Sequence, residues 1–429
     1  MADGRCSCPP GSCLTDQSLD FWRDANSFYT RRAEQYGSSH FNARFLLKTT
    51  TFVGSHQGVK EVLIDKADCF RTGYKDFLGH LFGEVLLFMN DSQVCVLRKN
   101  LSVLFVEATS SQHLEAQITK LMGAYFDGLK VGEPLCLYST FKYLISKILI
   151  CLYLDLCPER DKQLVDDIIQ LAVEHWRGII SLPVSVRAPM GYSSGYRKAT
   201  AARAKLKEIV KEQIESQKLE VTDNSKNNSY SLLANAMAKS SLSQESLVDH
   251  LVLMVTALIP KAAASILASF FLVHTHWAEE LDSTGSIDER VLDCVLLEVC
   301  RLWPPFVGGR RLANKDVEID GYLIPANRPV VYMTIAAHKD ATVFDCPDEF
   351  VWGRWKDREQ TVKNGLFAFG GGARHCIGEQ FIMKITKLVI GQFLKKFSFE
   401  LTNGQQSQDY KWLPVSRPKV VPLAILRLR

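Results

Sequence analysis

The longest apolar run of the chain, "LVLMVTALIPKAAASILASFFLV" from Leu251 to Val273, is the feature that most constrains the fold. Its length would suffice to cross a bilayer, which takes about 20 apolar residues. Pro260 and Lys261 at its centre are expensive in lipid, whereas a helix enclosed by protein can hold both. The run therefore predicts a helix threaded through the middle of a large core. The chain has the material to enclose it: 429 residues, 47% hydrophobic and 23% charged, without the polarity of a disordered protein.

Apolar positions repeat at three-to-four spacing in "DKQLVDDIIQLAVEHWRGII", "RKATAARAKLKEIVKEQIESQKLE" and "IGEQFIMKITKLVIGQFLKKF", so the chain reads as mainly α-helical. Strand material is sparse. "ARFLLKTTTFVG" and "DVEIDGYLIPANRPVVYM" carry hairpin patterns, and the polar stretch from Val221 to Ser231 reads as a loop. No Pro/Gly/Ser linker divides the chain, which predicts a polar segment over residues 1–20 followed by one domain over 21–429.

A net charge of +4 without a long basic block gives no footprint for nucleic acid. The first residues show neither a signal-peptide core nor a spanning helix, so the expectation is a cytoplasmic protein or one peripheral to a membrane. Twelve cysteines in no regular framework read as reduced thiols. Cys6, Cys8 and Cys13 cluster, but no fourth zinc ligand stands nearby.

One cysteine has a context of its own. In "FAFGGGARHCIGEQ", Phe369, Gly372, Arg374, Cys376 and Gly378 form the pattern F-x-x-G-x-R-x-C-x-G. A glycine-rich turn lets backbone approach a flat cofactor, while amides and the start of the following helix favour a thiolate at Cys376. Such a thiolate can serve as an axial ligand to heme iron.

With this motif the sequence resembles the cytochrome P450 superfamily, and the resemblance covers most of the chain. Glu298 and Arg301 in "LLEVCRLWPP" form an E-x-x-R pair on one helix face, and "FDCPDEFVWGRW" supplies Arg354 to complete a buried network with them. The resemblance implies a mainly α fold with small β-sheets, a long central helix over heme b, and Cys376 as iron ligand. It also implies that Arg98, Arg311 and Arg374 hold the heme propionates, with Arg310 competing for the role of Arg311. His338 is read as structural and His375 as a loop or propionate contact. By family position Leu258, Ala262, Phe306 and Val307 face the substrate.

Against that resemblance, Pro260-Lys261 falls where oxygen-activating members keep an acid and an alcohol that relay protons to dioxygen. Two readings follow. A shifted register would let Thr256 or Ser265 supply the alcohol. Alternatively the enzyme never activates dioxygen, as in the branch of the superfamily that rearranges fatty-acid hydroperoxides: epoxyalcohol synthases, allene oxide synthases and hydroperoxide lyases. The second reading leads to an expected oxylipin-forming enzyme with a lipid hydroperoxide substrate and no required redox partner. Cys376, Lys261 and Asn90 are then the catalytic candidates, Asn90 bonding the hydroperoxide. The alternatives are a reductase-dependent monooxygenase for a retinoid, sterol or fatty acid, and an inactive heme-binding protein.

Overall fold

The computed structural model describes residues 7–89, 94–180, 194–222, 243–356, 365–402 and 409–429. Its longer helices are α1 (Ala25–Tyr36), α2 (Lys75–Phe82), α3 (Val94–Ser110), α4 (Gln112–Asp127), α5 (Leu137–Leu154), α6 (Lys162–Arg177), α7 (Gly195–Thr222), α8 (Gln244–Leu251), α9 (Ile259–Leu272), α10 (Glu289–Leu302) and α11 (Glu379–Lys396). Each of the three periodic stretches forms a helix within a few residues of its expected limits. Val221 and Thr222 end α7 rather than beginning a loop, and the rest of that expected loop lies outside the described residues.

The strands build small sheets. The largest has six, in the order β1 (Gly11–Asp16), β2 (His40–Phe45), β3 (Lys48–Val53), β6 (Pro329–Tyr332), β5 (Gly309–Ala313) and β4 (Phe70–Thr72). The β1 strand pairs in parallel with β2, so part of the N-terminal segment expected as a polar preface is a sheet edge. A tight hairpin joins Val317–Ile319 to Tyr322–Ile324 through Asp320 and Gly321, at φ 46° and 82°. Asp-Gly is the pair that tolerates two successive positive φ values, the geometry whose twist matches a hairpin.

The apolar run does pass through the core. All of α9 is buried, between α5 and α11. Phe141 of α5 stacks on Phe271 of α9 at 5.2 Å, and Phe271 meets Phe393 of α11 edge-on at 5.0 Å. Truncating a buried phenylalanine in such a set costs about 3–5 kcal/mol, so these rings lock the three helices together. Two helical stretches, Leu137–Leu154 and Gln244–Leu272, are long and apolar enough to cross a membrane, but 78% and 88% of their apolar windows are buried inside the protein.

The helix breaker has a local solution. Proline lacks the N–H that an α-helix needs, and its ring clashes with the carbonyl four residues back. Here the chain widens into a π-helical segment, Val252–Leu258, and α9 starts afresh with Pro260 in its first turn, where no N–H is required. The Ile259 N–H reaches back five residues to the Met254 carbonyl, as the wider winding demands.

Candidate active site

The E-x-x-R pair lies on α10, a helix capped by the Asp288 carboxylate, which accepts from the Arg290 and Val291 N–H groups. Glu298 and Arg301 are both fully buried. The Arg301 guanidinium meets the Glu298 carboxylate through two parallel bonds, Nε to Oε2 at 2.9 Å and Nη2 to Oε1 at 2.8 Å. Glu298 also accepts from the Arg354 guanidinium at 3.1 Å, the Trp355 indole N–H at 2.8 Å and the Val351 N–H at 2.9 Å. Arg301 spends its remaining donors on the carbonyls of His338, Pro347 and Glu349. A buried ion pair is tolerable only when its leftover donors and acceptors are satisfied in this way.

His338 carries the network to the cysteine loop. Its Nδ1–H donates to the Arg301 carbonyl at 3.0 Å, which leaves Nε2 to accept the Phe367 N–H at 2.7 Å. Burial above all, and then the Arg301 charge, drive its pKa down to about 3 against the opposing pull of the Arg301 carbonyl. A neutral ring is the one form that can donate and accept at once.

From Phe367 the chain turns through Gly370 and Gly372, at φ 78° and 58°. A Cβ on Gly372 would lie 2.5 Å from the Leu63 carbonyl oxygen, so no larger residue fits. The Cys376 N–H closes the loop on the Phe369 carbonyl at 2.8 Å, and Gly378 caps α11. Burial pushes the Cys376 thiol up; the Gly378 and Glu379 N–H groups and Arg98 pull it down, while the Glu379 carboxylate adds to the rise.

Arg311 and Arg374 line one cavity of about 220 Å³, together with Leu63, Phe70, Thr72 and Ala373. Arg374 also donates to the Met89 carbonyl at 2.7 Å. Arg98 reaches the same loop by a different contact, donating to the His375 carbonyl. His375 itself pairs through Nε2 with Glu379. A cysteine at a helix start with three guanidinium groups, Arg71, Arg311 and Arg374, on one adjoining cavity is a donor set that fits heme b: a thiolate for iron and cations for carboxylates. Asn90 lies outside the described residues.

Beyond this loop stands a second constellation. Leu81, Phe82, Val85, Phe88, Trp176, Ala199, Leu253 and Val415 form a separate apolar cluster, with Leu258 and Phe306 packed against it. Two of the four residues expected to face substrate therefore converge there. Val307 belongs to the main core instead, and Ala262 is buried on α9 outside either cluster.

Buried histidines hold the end of α2 and the strap after it against this cluster. His175 of α6 donates from Nε2 to the Leu81 carbonyl at 2.7 Å, and His250 of α8 accepts the Leu86 N–H at 2.9 Å.

Along the central helix, Ser265 is committed to the chain opposite, its hydroxyl donating to the Ser416 carbonyl at 2.6 Å. Thr256 is buried within the π-helical segment and donates to the Val252 carbonyl. Lys261, 7% exposed, sets its ammonium 4.6 Å from the centre of the Trp176 ring. Trp176, Val415 and the two histidines are not legible in the sequence: apolar or aromatic character at a helix end or in a connecting segment does not say which distant segment a residue meets.

A cysteine-ligand loop braced by an E-x-x-R network beneath a long buried helix, in a mainly helical fold with small sheets, defines a heme-thiolate protein. Residues 289–420 match the family model described as cytochrome P450, and the fold is the cytochrome P450 fold, which implies heme b with a cysteine thiolate as axial ligand. It is 25% identical to cytochrome P450 26B1 of Danio rerio over 92% of this chain and 82% of that one. It is 23% identical to cytochrome P450 26A1 of Xenopus laevis over 92% and 86%. The solved structure of retinoic acid-bound cyanobacterial CYP120A1 superimposes with a TM-score of 0.82 at 22% identity, covering 99% of this chain and 100% of that one.

These relatives overturn the expected hydroperoxide-rearranging enzyme, since the full-length likeness is to cytochromes P450 26 and not to that branch. The expectation that no redox partner is needed falls with it. The physical ground of the error lies in the central helix. Pro260 stands where a relay residue is expected, but it opens α9 after a π-helical segment, and a buried hydroxyl is present one turn earlier at Thr256.

Proposed function

We propose that this chain is a reductase-dependent monooxygenase that oxidises a retinoid. The observation that carries the reading is the similarity to cytochromes P450 26B1 and 26A1 along 92% of the chain, central helix and cysteine loop included. The superposition with a protein holding retinoic acid agrees with it. The overall change is insertion of one atom of dioxygen into a C–H bond and release of the other as water, with two electrons supplied from NADPH through the reductase and two protons, one released from NADPH and one taken from solvent.

Bound at Cys376, heme b supplies the redox chemistry of oxygen transfer. The protein's own part is to hold, orient and deliver. Cys376 gives the thiolate, and Arg311 and Arg374 bind the propionates across their shared cavity. Glu298, Arg301 and Arg354, with His338 as the link, keep the cysteine loop in place. Thr256 holds a proton at Oγ1, kept in a buried position by its bond to the Val252 carbonyl. Leu258 and Phe306 exclude water around an apolar substrate.

The test is turnover of all-trans retinoic acid by the purified holoenzyme with NADPH and a reductase, with products followed by mass spectrometry. The expected result is an addition of one oxygen atom that requires both NADPH and reductase. No retinoid oxidation, alongside efficient oxidation of a sterol or a simple fatty acid, would remove the retinoid assignment.

A further inference from the structure

The strap after α2, residues 83–89, runs between the separate apolar cluster and the cysteine loop. Its side chains divide between two sides. Val85 and Phe88 belong to that cluster, while Leu86 belongs to the main core. A short turn, closed by the Phe88 N–H on the Val85 carbonyl at 2.9 Å, produces the division. The seating of the strap therefore shapes the wall against which Leu258 and Phe306 pack.

One residue of the strap is held from both faces. The Leu86 N–H donates to Nε2 of His250 on α8 at 2.9 Å, and the Leu86 carbonyl accepts from Nη1 of Arg374 in the cysteine loop at 3.4 Å. Arg374 grips the same segment more firmly three residues on, through the 2.7 Å bond from Nη2 to the Met89 carbonyl. That guanidinium also lines the cavity whose donor set fits the heme carboxylates. The Leu86 backbone thus joins the helix leading into the π-helical segment to a cation on the heme side.

His250 is suited to this position. It is fully buried, and its Nδ1 donates to the Ser246 carbonyl of its own helix at 2.6 Å. That bond fixes the tautomer and leaves Nε2 as an acceptor for the strap. Burial lowers the pKa below the ordinary histidine value, against the pull of the Ser246 carbonyl and the Asp249 charge, so the ring stays neutral. An apolar side chain in its place would strand the buried Leu86 N–H without an acceptor, a state folded proteins avoid. His175, by contrast, bonds the Leu81 carbonyl and holds the end of α2 rather than the strap itself.

We propose that His250 is a positioning residue which, through the Leu86 backbone, seats the substrate-side wall and the Arg374 guanidinium together. The inference deepens the proposed function and rests on it for the identity of the substrate alone. Loss of the His250 bond frees the strap to shift, and Val85, Phe88 and the two carbonyls that Arg374 grips shift with it.

The test compares the parent holoenzyme with His250→Phe, which keeps a ring without polar atoms, and His250→Gln, whose amide can accept from Leu86 and donate to Ser246. Hydrogen exchange of the 83–89 amides and heme transfer to excess apomyoglobin need no substrate; KM and kcat for retinoic acid complete the set. In His250→Phe the strap amides are expected to exchange at least about tenfold faster, as loss of one buried bond implies. Heme transfer should be at least about threefold faster, and KM raised at least about fivefold with kcat within about twofold of the parent. His250→Gln is expected to return all of these toward the parent. Should His250→Phe not accumulate as holoenzyme, His250→Asn, too short to reach Leu86, carries the same expectations.

Faster strap exchange with unchanged heme transfer overturns the proposal, because wall and guanidinium would then move independently. Parent-like values in His250→Phe, or no recovery in His250→Gln, overturn it as well. If the parent does not oxidise retinoic acid, the retinoid reading falls, and exchange and heme transfer alone decide the role of His250.

Discussion

The two sides of this molecule solve the burial of charge in opposite ways. Around Glu298 and Arg301 each charge faces its opposite and every remaining donor has a carbonyl or carboxylate to meet. Around Lys261 the ammonium has an aromatic face and cations of its own sign. The first arrangement is complete without a ligand and holds the iron-binding loop rigid. The second bears the cost of taking an ammonium out of water, which lowers the Lys261 pKa to about 7. The cysteine loop is braced by mutual satisfaction of charges, whereas the central helix carries a buried ammonium at a desolvation cost.

The sharpest way to break the first side is Cys376→Ala, which should remove the thiolate-type ferrous–carbonyl spectrum completely while far-ultraviolet dichroism shows the helices retained. Persistence of that spectrum would remove Cys376 as ligand. Next in size, Arg301→Met strands the Glu298 carboxylate in the core, and loss of one member of a buried pair costs about 3–5 kcal/mol. Urea unfolding should show the loss, and a change below about 1 kcal/mol would mean that the network does not brace the fold.

Acid probes the same network through His338. Its folded pKa of about 3 lies below the ordinary histidine value of 6.5, so the unfolded chain binds the extra proton between those limits. The contribution is intact above pH 6.5 and erodes by about 1.4 kcal/mol per unit as pH falls toward 3. Urea midpoints across this window should fall less steeply in His338→Gln than in the parent.

On the other side the sign of the mutational effect reverses. Burial, with help from Lys142, lowers the Lys261 pKa from 10.5 to about 7, so the unfolded chain again holds the additional proton between these values. Stability should therefore rise with pH from 7 to 10.5 in the parent. Lys261→Met should be the more stable protein at pH 7, by up to about 1.4 kcal/mol per unit of that depression, with the gap closing near pH 10. A variant less stable than the parent at pH 7 would show that the contacts of Lys261 outweigh the cost of burying it.

How far the sequence could be read follows the same division. The cysteine loop and the E-x-x-R network were legible because their residues cluster in two short stretches whose spacing is set by one turn and one helix. Arg354 could be paired with Glu298 from the motif alone, and the structure joins them at 3.1 Å. The separate apolar cluster draws on α2, α6, α7, the π-helical segment and the Val415 segment, which no local pattern connects. Arg98, expected as a propionate donor, also donates to the His375 carbonyl, a contact no local pattern foretells because a long side chain meets partners that only the folded chain brings near.

The π-helical segment has one more consequence, and it concerns how sequences of this kind are compared. A π turn takes up one more residue than the α turn it replaces, so the stretch before Val252 and the stretch after Leu258 are out of phase with each other. Counting forward from Gln244 and counting backward from Leu272 assign the residues between them to different faces of the helix. A gapless alignment through this segment carries a phase error of about 100° into one half, so position-by-position transfer of roles should be anchored separately on each half.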